Sequence, residues 1–98
     1  IVNTLALLPT GEIAAGTNNG LNFINHNTIS VQEQLKGIRI NKLEIDLDGT
    51  VWIGAETGLG RLSKDKNYFE FSDKNNYLPF SRINDLTVDD EGNLWIST

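Results

Sequence analysis

The chain has 98 residues, 39% of them hydrophobic, which suits one small unit with a modest core. Its formal net charge of −5 lacks the basic footprint that a nucleic-acid backbone or an anionic membrane requires, so neither is expected as the main partner. It has no cysteine for a disulfide or thiolate site, and no apolar run approaches the ~20 residues that cross a bilayer as a helix.

In chain order, IVNTLALLPTGE opens on Ile1 and lacks the basic start and apolar stretch of a signal peptide, which suggests a piece of a longer protein. Leu5-Ala6-Leu7 alternates with period two, and strands are predicted at 2–8, 12–17, 21–25 and 28–31, punctuated by Gly11 and Gly20. The same pattern returns from Ile40, with strands predicted at 40–46, 50–55, 59–63 and 67–71. It returns again from Ile83, with strands at 83–89 and at Leu94-Trp95-Ile96. The copies align without a gap. Asn3, Asn41 and Asn84 coincide, as do Leu5, Leu43 and Leu86, and the turn glycines Gly11, Gly49 and Gly92. A period of about 40 residues, with glycines too frequent for useful helices, points to four-stranded propeller blades. The expected architecture is all-β: a β-propeller fragment of about two and a half antiparallel blades, at 1–39, 40–82 and 83–98.

Asp46, Asp48 and Gly49 form a D-x-D-G arrangement that also opens calcium loops. Trp52 and Ile53 follow at once, however, and the first copy reads Leu8-Pro9-Thr10-Gly11, with no aspartate. The shared element is a glycine able to take positive φ, so the stretch reads as a hairpin turn rather than a metal site, and no cofactor is implied. Trp52 and Trp95 recur at the blade period and are expected to pack between sheets rather than to stack on a sugar. Gly16 and Gly20, like Gly54 and Gly58, are expected to bracket turns. His26 reads as a solvated turn residue; with no cysteine and no second histidine it completes neither a zinc set nor a nucleophilic triad. Lys64–Asn67 and Asp73–Asn76 read as solvated turns, and Phe69 and Phe71 as outer-strand residues facing the next blade.

The pattern I-N-x-L-x-x-D-x-x-G-x-x-W-I-x-T, in Ile83–Thr98 and Ile40–Ala55, with G-L-x-R-L in Gly58–Leu62, resembles the two-component regulator propeller repeat. Ala55 departs from the usual threonine, and Pro9-Thr10 and Ala14 depart in the first copy. The resemblance implies part of a large propeller serving as the periplasmic sensor of a hybrid two-component histidine kinase and responding to oligosaccharides. Propellers of lyase type and purely structural ones are the alternatives; a lyase wants a base and usually a metal near the central channel, which His26 serves poorly.

In propellers, the link from outer strand to next inner strand and the turn between second and third strands commonly share a face. Here those are Lys36–Asn41, Tyr77–Asn84, Asn18, Asn19 and Glu56. Arg39, Asn41, Glu56, Arg82 and Asn84 are therefore candidate ligand contacts, with Tyr77 placed to stack on a sugar. The competing structural role has Asn41 and Asn84 bond backbone at the strand start, and Arg39 and Arg82 pair with acids. The expected partners are other blades, an oligosaccharide and, for the isolated chain, further copies of itself through its uncovered end sheets.

Overall fold

Short strands of alternating polarity each have one face to bury, and tight glycine turns return the chain antiparallel. The structure, a computed structural model, describes residues 1–73 and 82–98. Strands β1 (Val2–Leu7), β2 (Ile13–Thr17), β3 (Gly20–Asn25) and β4 (Thr28–Val31) form a four-stranded meander in that order. A single 3-10 turn at Glu33–Leu35 leads to a second meander of β5 (Ile40–Ile45), β6 (Val51–Ala55), β7 (Gly58–Leu62) and β8 (Phe69–Asp73). The hairpin of β9 (Asp85–Val88) and β10 (Leu94–Ser97) forms the third sheet. The all-β, bladed architecture read from the repeat is the one observed.

Three turns share one geometry. The amide of Gly11 donates to the Leu8 carbonyl, that of Gly49 to Asp46 and that of Gly92 to Asp89, at 2.9–3.0 Å. The glycines have φ of 94°, 91° and 83°. This is a tight turn closed by a left-handed residue, a conformation costly for any side chain with a Cβ.

Two strands lie off their expected positions. β8 begins at Phe69 rather than at 67, because the turn before it is long: the Ser63 amide donates to the Tyr68 carbonyl, and Lys66 takes φ 64°. Its counterpart in the first sheet is short, with His26 at φ 50° between the paired Asn25 and Thr28. β9 begins at Asp85 rather than at 83, since the Ile83 amide donates to the Ala55 carbonyl of the preceding sheet.

Register decides which face meets which neighbour. Leu43, Ile53 and Phe71 lie across from one another, as do Val51, Leu62 and Phe69. This face packs on Ala6, Ala14, Leu21 and Phe23 of the first sheet, with Leu35 between them. Phe69 and Phe71 therefore pack back toward the preceding sheet, against expectation: β8 pairs with β7 so that both share a face with Leu62. Lys66 is not a solvated turn residue either. Its Nζ lies 2.8 Å from Glu12 Oε2 and 4.4 Å from the centroid of the Phe23 ring, tying the second sheet to the first.

Gly16 and Gly54 do not bracket turns. They lie inside β2 and β6, and the turns are the two-residue steps Asn18-Asn19 and Glu56-Thr57. A Cβ on Gly16 would lie 2.5 Å from Ile40 Cγ2, and one on Gly54 would lie 2.8 Å from Ile83 Cγ2. Each glycine lets the first residue of the next sheet press onto the strand. Gly16→Ala is expected to lower stability by about 1–3 kcal/mol through overpacking, read as a lower denaturation midpoint in urea. An unchanged midpoint would show that the sheets separate there at no cost.

Candidate functional site

Asn41 follows the first residue of β5, at an irregularity in the pairing between Ile40 and Lys42. Its Nδ2 donates to the Ile83 carbonyl at 2.9 Å and to Glu56 Oε2 at 3.1 Å. Its Oδ1 accepts from Arg39 Nε at 3.2 Å. The other oxygen of Glu56 pairs with Arg82 Nε at 3.2 Å. Four of the candidate residues, Arg39, Asn41, Glu56 and Arg82, thus form one connected group where the second sheet meets the third. The Glu56 amide donates to the Arg39 carbonyl at 2.9 Å, which holds the β6–β7 turn against the link that precedes β5. The group holds two guanidiniums and one carboxylate, of which only Arg82 pairs with Glu56, so it carries local positive charge, and both arginines are exposed.

The first sheet repeats this arrangement. Asn3 also lies at a pairing irregularity, and its Nδ2 donates to the Ile40 carbonyl at 3.0 Å and to Asn18 Oδ1 at 2.9 Å. The asparagine does bond backbone at a strand start, but on the next sheet rather than its own. Asn84, the third copy, is exposed and lies apart from the group, with its backbone amide on the Ser97 carbonyl. Tyr77 and Lys74–Asn76 lie outside the described residues. Asn3 and Asn18 were not among the site candidates, although the recurrence of asparagine at 3, 41 and 84 and the alignment of Asn18 with Glu56 carried that signal.

The D-x-D-G stretch spends its carboxylates internally. Asp46 Oδ1 accepts from the Leu47 amide, and Oδ2 from the Trp52 indole at 3.2 Å; Asp48 accepts from the Thr50 amide. Asp89 repeats this more tightly, with the Trp95 indole at 2.9 Å and the Glu91 and Asn93 amides on its other oxygen. These bonds hold Asp89 below its ordinary 3.8, at about 2, the Trp95 indole bond first and the Asn93 amide next. Asp48 is lowered chiefly by the Thr50 amide. Trp52 is half-buried, with the Arg61 guanidinium 5.9 Å from its ring, whereas Trp95 is 63% exposed. Among the described residues no three His, Cys, Asp or Glu side chains are placed to share a metal ion.

Asn41→Ala leaves the Ile83 carbonyl without its donor at a half-buried junction, and is expected to cost about 1–3 kcal/mol in urea denaturation. Asp89 has its own pH signature. Its folded-state pKa lies below the unfolded value of ~3.9, so its contribution is present above about pH 4 and is lost as pH falls through 2. The Trp95 indole proton resonance should follow that titration near pH 2 in NMR spectra; a midpoint near pH 4 would show the bond to be absent in solution.

Residues 77–98 match the family described as two component regulator propeller. No curated protein matches the chain. Among solved structures, the chain resembles the extracellular domain of a putative hybrid two component system from B. thetaiotaomicron, at 21% identity and a TM-score of 0.79, over 97% of this chain and 14% of that one. It also resembles PorZ, a surface component of the type-IX secretion system of Porphyromonas gingivalis, at 17% identity and a TM-score of 0.76, over 98% of this chain and 16% of that one. The chain therefore spans only a small part of the length of these structures, and identities this low speak to the fold alone. Among the described residues no helix is long and apolar enough to cross a membrane. The chain carries the two component regulator propeller repeat at residues 77–98 and folds as a section of β-propeller.

Proposed function

We propose that this chain is part of the periplasmic sensor propeller of a hybrid two-component histidine kinase, responding to an oligosaccharide. The observation that carries the reading is the match of residues 77–98 to the two component regulator propeller family. In this reading the segment has no catalytic role. The exposed guanidiniums of Arg39 and Arg82, with Glu56 between them, supply charged donors and acceptors for sugar hydroxyls or carboxylates, and Tyr77 supplies a stacking face. Asn41 holds the junction of the second and third sheets, and Asn84 is left exposed. Because Glu56 serves both Asn41 and Arg82, a ligand that draws Arg82 away changes the bonding at the junction of two sheets. That gives a physical path from an occupied site to a shift between blades.

A purely structural module is the second reading. It is favoured by the same geometry, since Arg39, Asn41, Glu56 and Arg82 already satisfy one another. Calorimetric titration of the chain with short neutral and uronate-containing oligosaccharides separates the two. The sensor reading expects saturable heat with one class, and about a tenfold loss of affinity in Arg82→Ala and in Tyr77→Ala. Absence of binding to either class, or unchanged affinity in both variants, would leave the structural reading.

A further inference from the structure

The two junctions between sheets are built alike and differ at one position. Arg39 and Arg82 stand at equivalent places, each directly before the buried aliphatic residue that opens the contact, Ile40 or Ile83. Asn18 and Glu56 are equivalent as well, each in the two-residue turn between the second and third strands of the sheet before. Both serve the junction in the same way. Asn18 Oδ1 accepts from the Asn3 side-chain amide at 2.9 Å, and Glu56 Oε2 accepts from that of Asn41 at 3.1 Å. Glu56 has a second oxygen and a charge, and these meet Arg82. The junction itself does not require that charge, because asparagine makes the same bond in the first sheet.

Arg39 therefore lacks what Arg82 has. Its Nε donates to a neutral oxygen, Asn41 Oδ1, and among the described residues no carboxylate forms an ion pair with it. Its terminal nitrogens have no partner among those residues, and neither does Asn18 Nδ2. Both sheets that flank Arg39 are in the chain, and so is the position from which the repeat would supply an acid. The surroundings also favour an anion. In the link before β5 the exposed Lys36 offsets Glu33. The turns that hold Asp46, Asp48, Asp65, Asp89 and Asp90 lie at the far end of the sheets, along with Lys64 and Lys66. A six-residue strand separates the two ends by about 20 Å, well beyond the Debye length of about 8 Å at physiological salt.

We propose that Arg39 and Asn18 form a carboxylate-binding site at the junction of the first two sheets, and that the oligosaccharide bound there is acidic and carries a uronate. The saccharide rests on the sensor reading; the charge rests on the comparison of the two junctions. The ligand carboxylate takes at Arg39 the place that Glu56 takes at Arg82. The terminal nitrogens of a guanidinium offer paired N–H donors that match the two oxygens of a carboxylate, and Asn18 Nδ2 adds a neutral donor. No ion pair has to be displaced. Asn18 also holds Asn3, which holds the Ile40 carbonyl, so the ligand touches the bond that joins the sheets.

Calorimetric titration with trigalacturonate, with its uncharged methyl ester and with a sulfated galactose trisaccharide tests this. The acid is expected to bind about tenfold tighter than the ester, with the difference shrinking as salt is raised, and tighter than the sulfated sugar. Asn18→Glu should abolish the preference for the acid, since the new carboxylate pairs with Arg39 as Glu56 does with Arg82, while the bond to Asn3 is kept. Arg39→Gln should abolish it too, and decides the question if Asn18→Glu fails to fold by circular dichroism. Glu56→Asn frees Arg82 and should strengthen the response to trigalacturonate, by affinity or by a second bound equivalent. Equal affinity for acid and ester would overturn the proposal and leave the sensor reading standing, whereas no binding of any of the three sugars would overturn both. Tighter binding of the sulfated sugar, a preference that survives Asn18→Glu or Arg39→Gln in the folded state, or an unchanged response in Glu56→Asn would each overturn the assignment.

Discussion

The arrangement of the sheets depends on a carbonyl. Where the chain enters β5 and again where it approaches β9, the carbonyl of an aliphatic residue, Ile40 and then Ile83, points at the preceding sheet, and the residue itself is fully buried. A backbone oxygen at such a junction needs a donor. Asn3 and Asn41 supply it from the sheet before. The donor reaches only because Gly16 and Gly54 have no Cβ, so the aliphatic side chain can press onto the strand beneath it. Asparagine, glycine and isoleucine at fixed spacing are therefore one device. Substituting any of them separates the sheets or leaves a polar atom unpaired. The order of strands within a sheet is a local matter of turns, whereas the relation between sheets is carried by this bond and the apolar contact around it.

The aspartate and tryptophan of the turn behave as a second such device, and the first copy shows it by losing both at once. Where Asp46 and Asp89 accept the indoles of Trp52 and Trp95, the first sheet has Leu8 and Ala14, both buried. An aspartate without its indole would be a carboxylate lacking one of its donors, and a tryptophan without its aspartate would leave an indole N–H to find another partner. A leucine beside a small alanine removes both requirements. The turn keeps its glycine and its shape in all three copies, which separates what the turn needs from what the pair adds.

Much of the fold could be read from the sequence because its signals are local. Period-two alternation at Leu5-Ala6-Leu7 and Leu43-Glu44-Ile45, and the glycines at 11, 49 and 92, report conformations that neighbouring residues settle between themselves. The start of β8 is set by side-chain hydrogen bonds of Ser63 and Asp65 within its own turn, which the hydropathy pattern does not measure. The other differences depend on partners distant in the chain. Alternation shows that Phe69 and Phe71 share a face but not which sheet that face meets, and it meets the preceding one. Lys66 looked solvated, since its acid, Glu12, belongs to a different repeat. Within the candidate site, spacing brought Arg39, Asn41, Glu56 and Arg82 to one end of the sheets, but which carbonyl the asparagine would hold could not be read without the second sheet in place.

The overlap between that candidate site and the junction limits what the site can do. A ligand contact made of side chains free of other partners can be filled without consequence for the fold. Here Glu56 has one oxygen on Asn41 and the other on Arg82, and Asn41 in turn holds the first residue of the next sheet. Any molecule that competes for Arg82 or Glu56 must displace an existing bond, which weakens its net affinity by the strength of what it replaces. The same competition is what would give its arrival a mechanical result. Arg82 lies next to Ile83, the residue that Asn41 and Gly54 both grip. A polar cluster at this point is thus poorly arranged for tight binding, and a molecule that competed for it would act on the fit of two sheets.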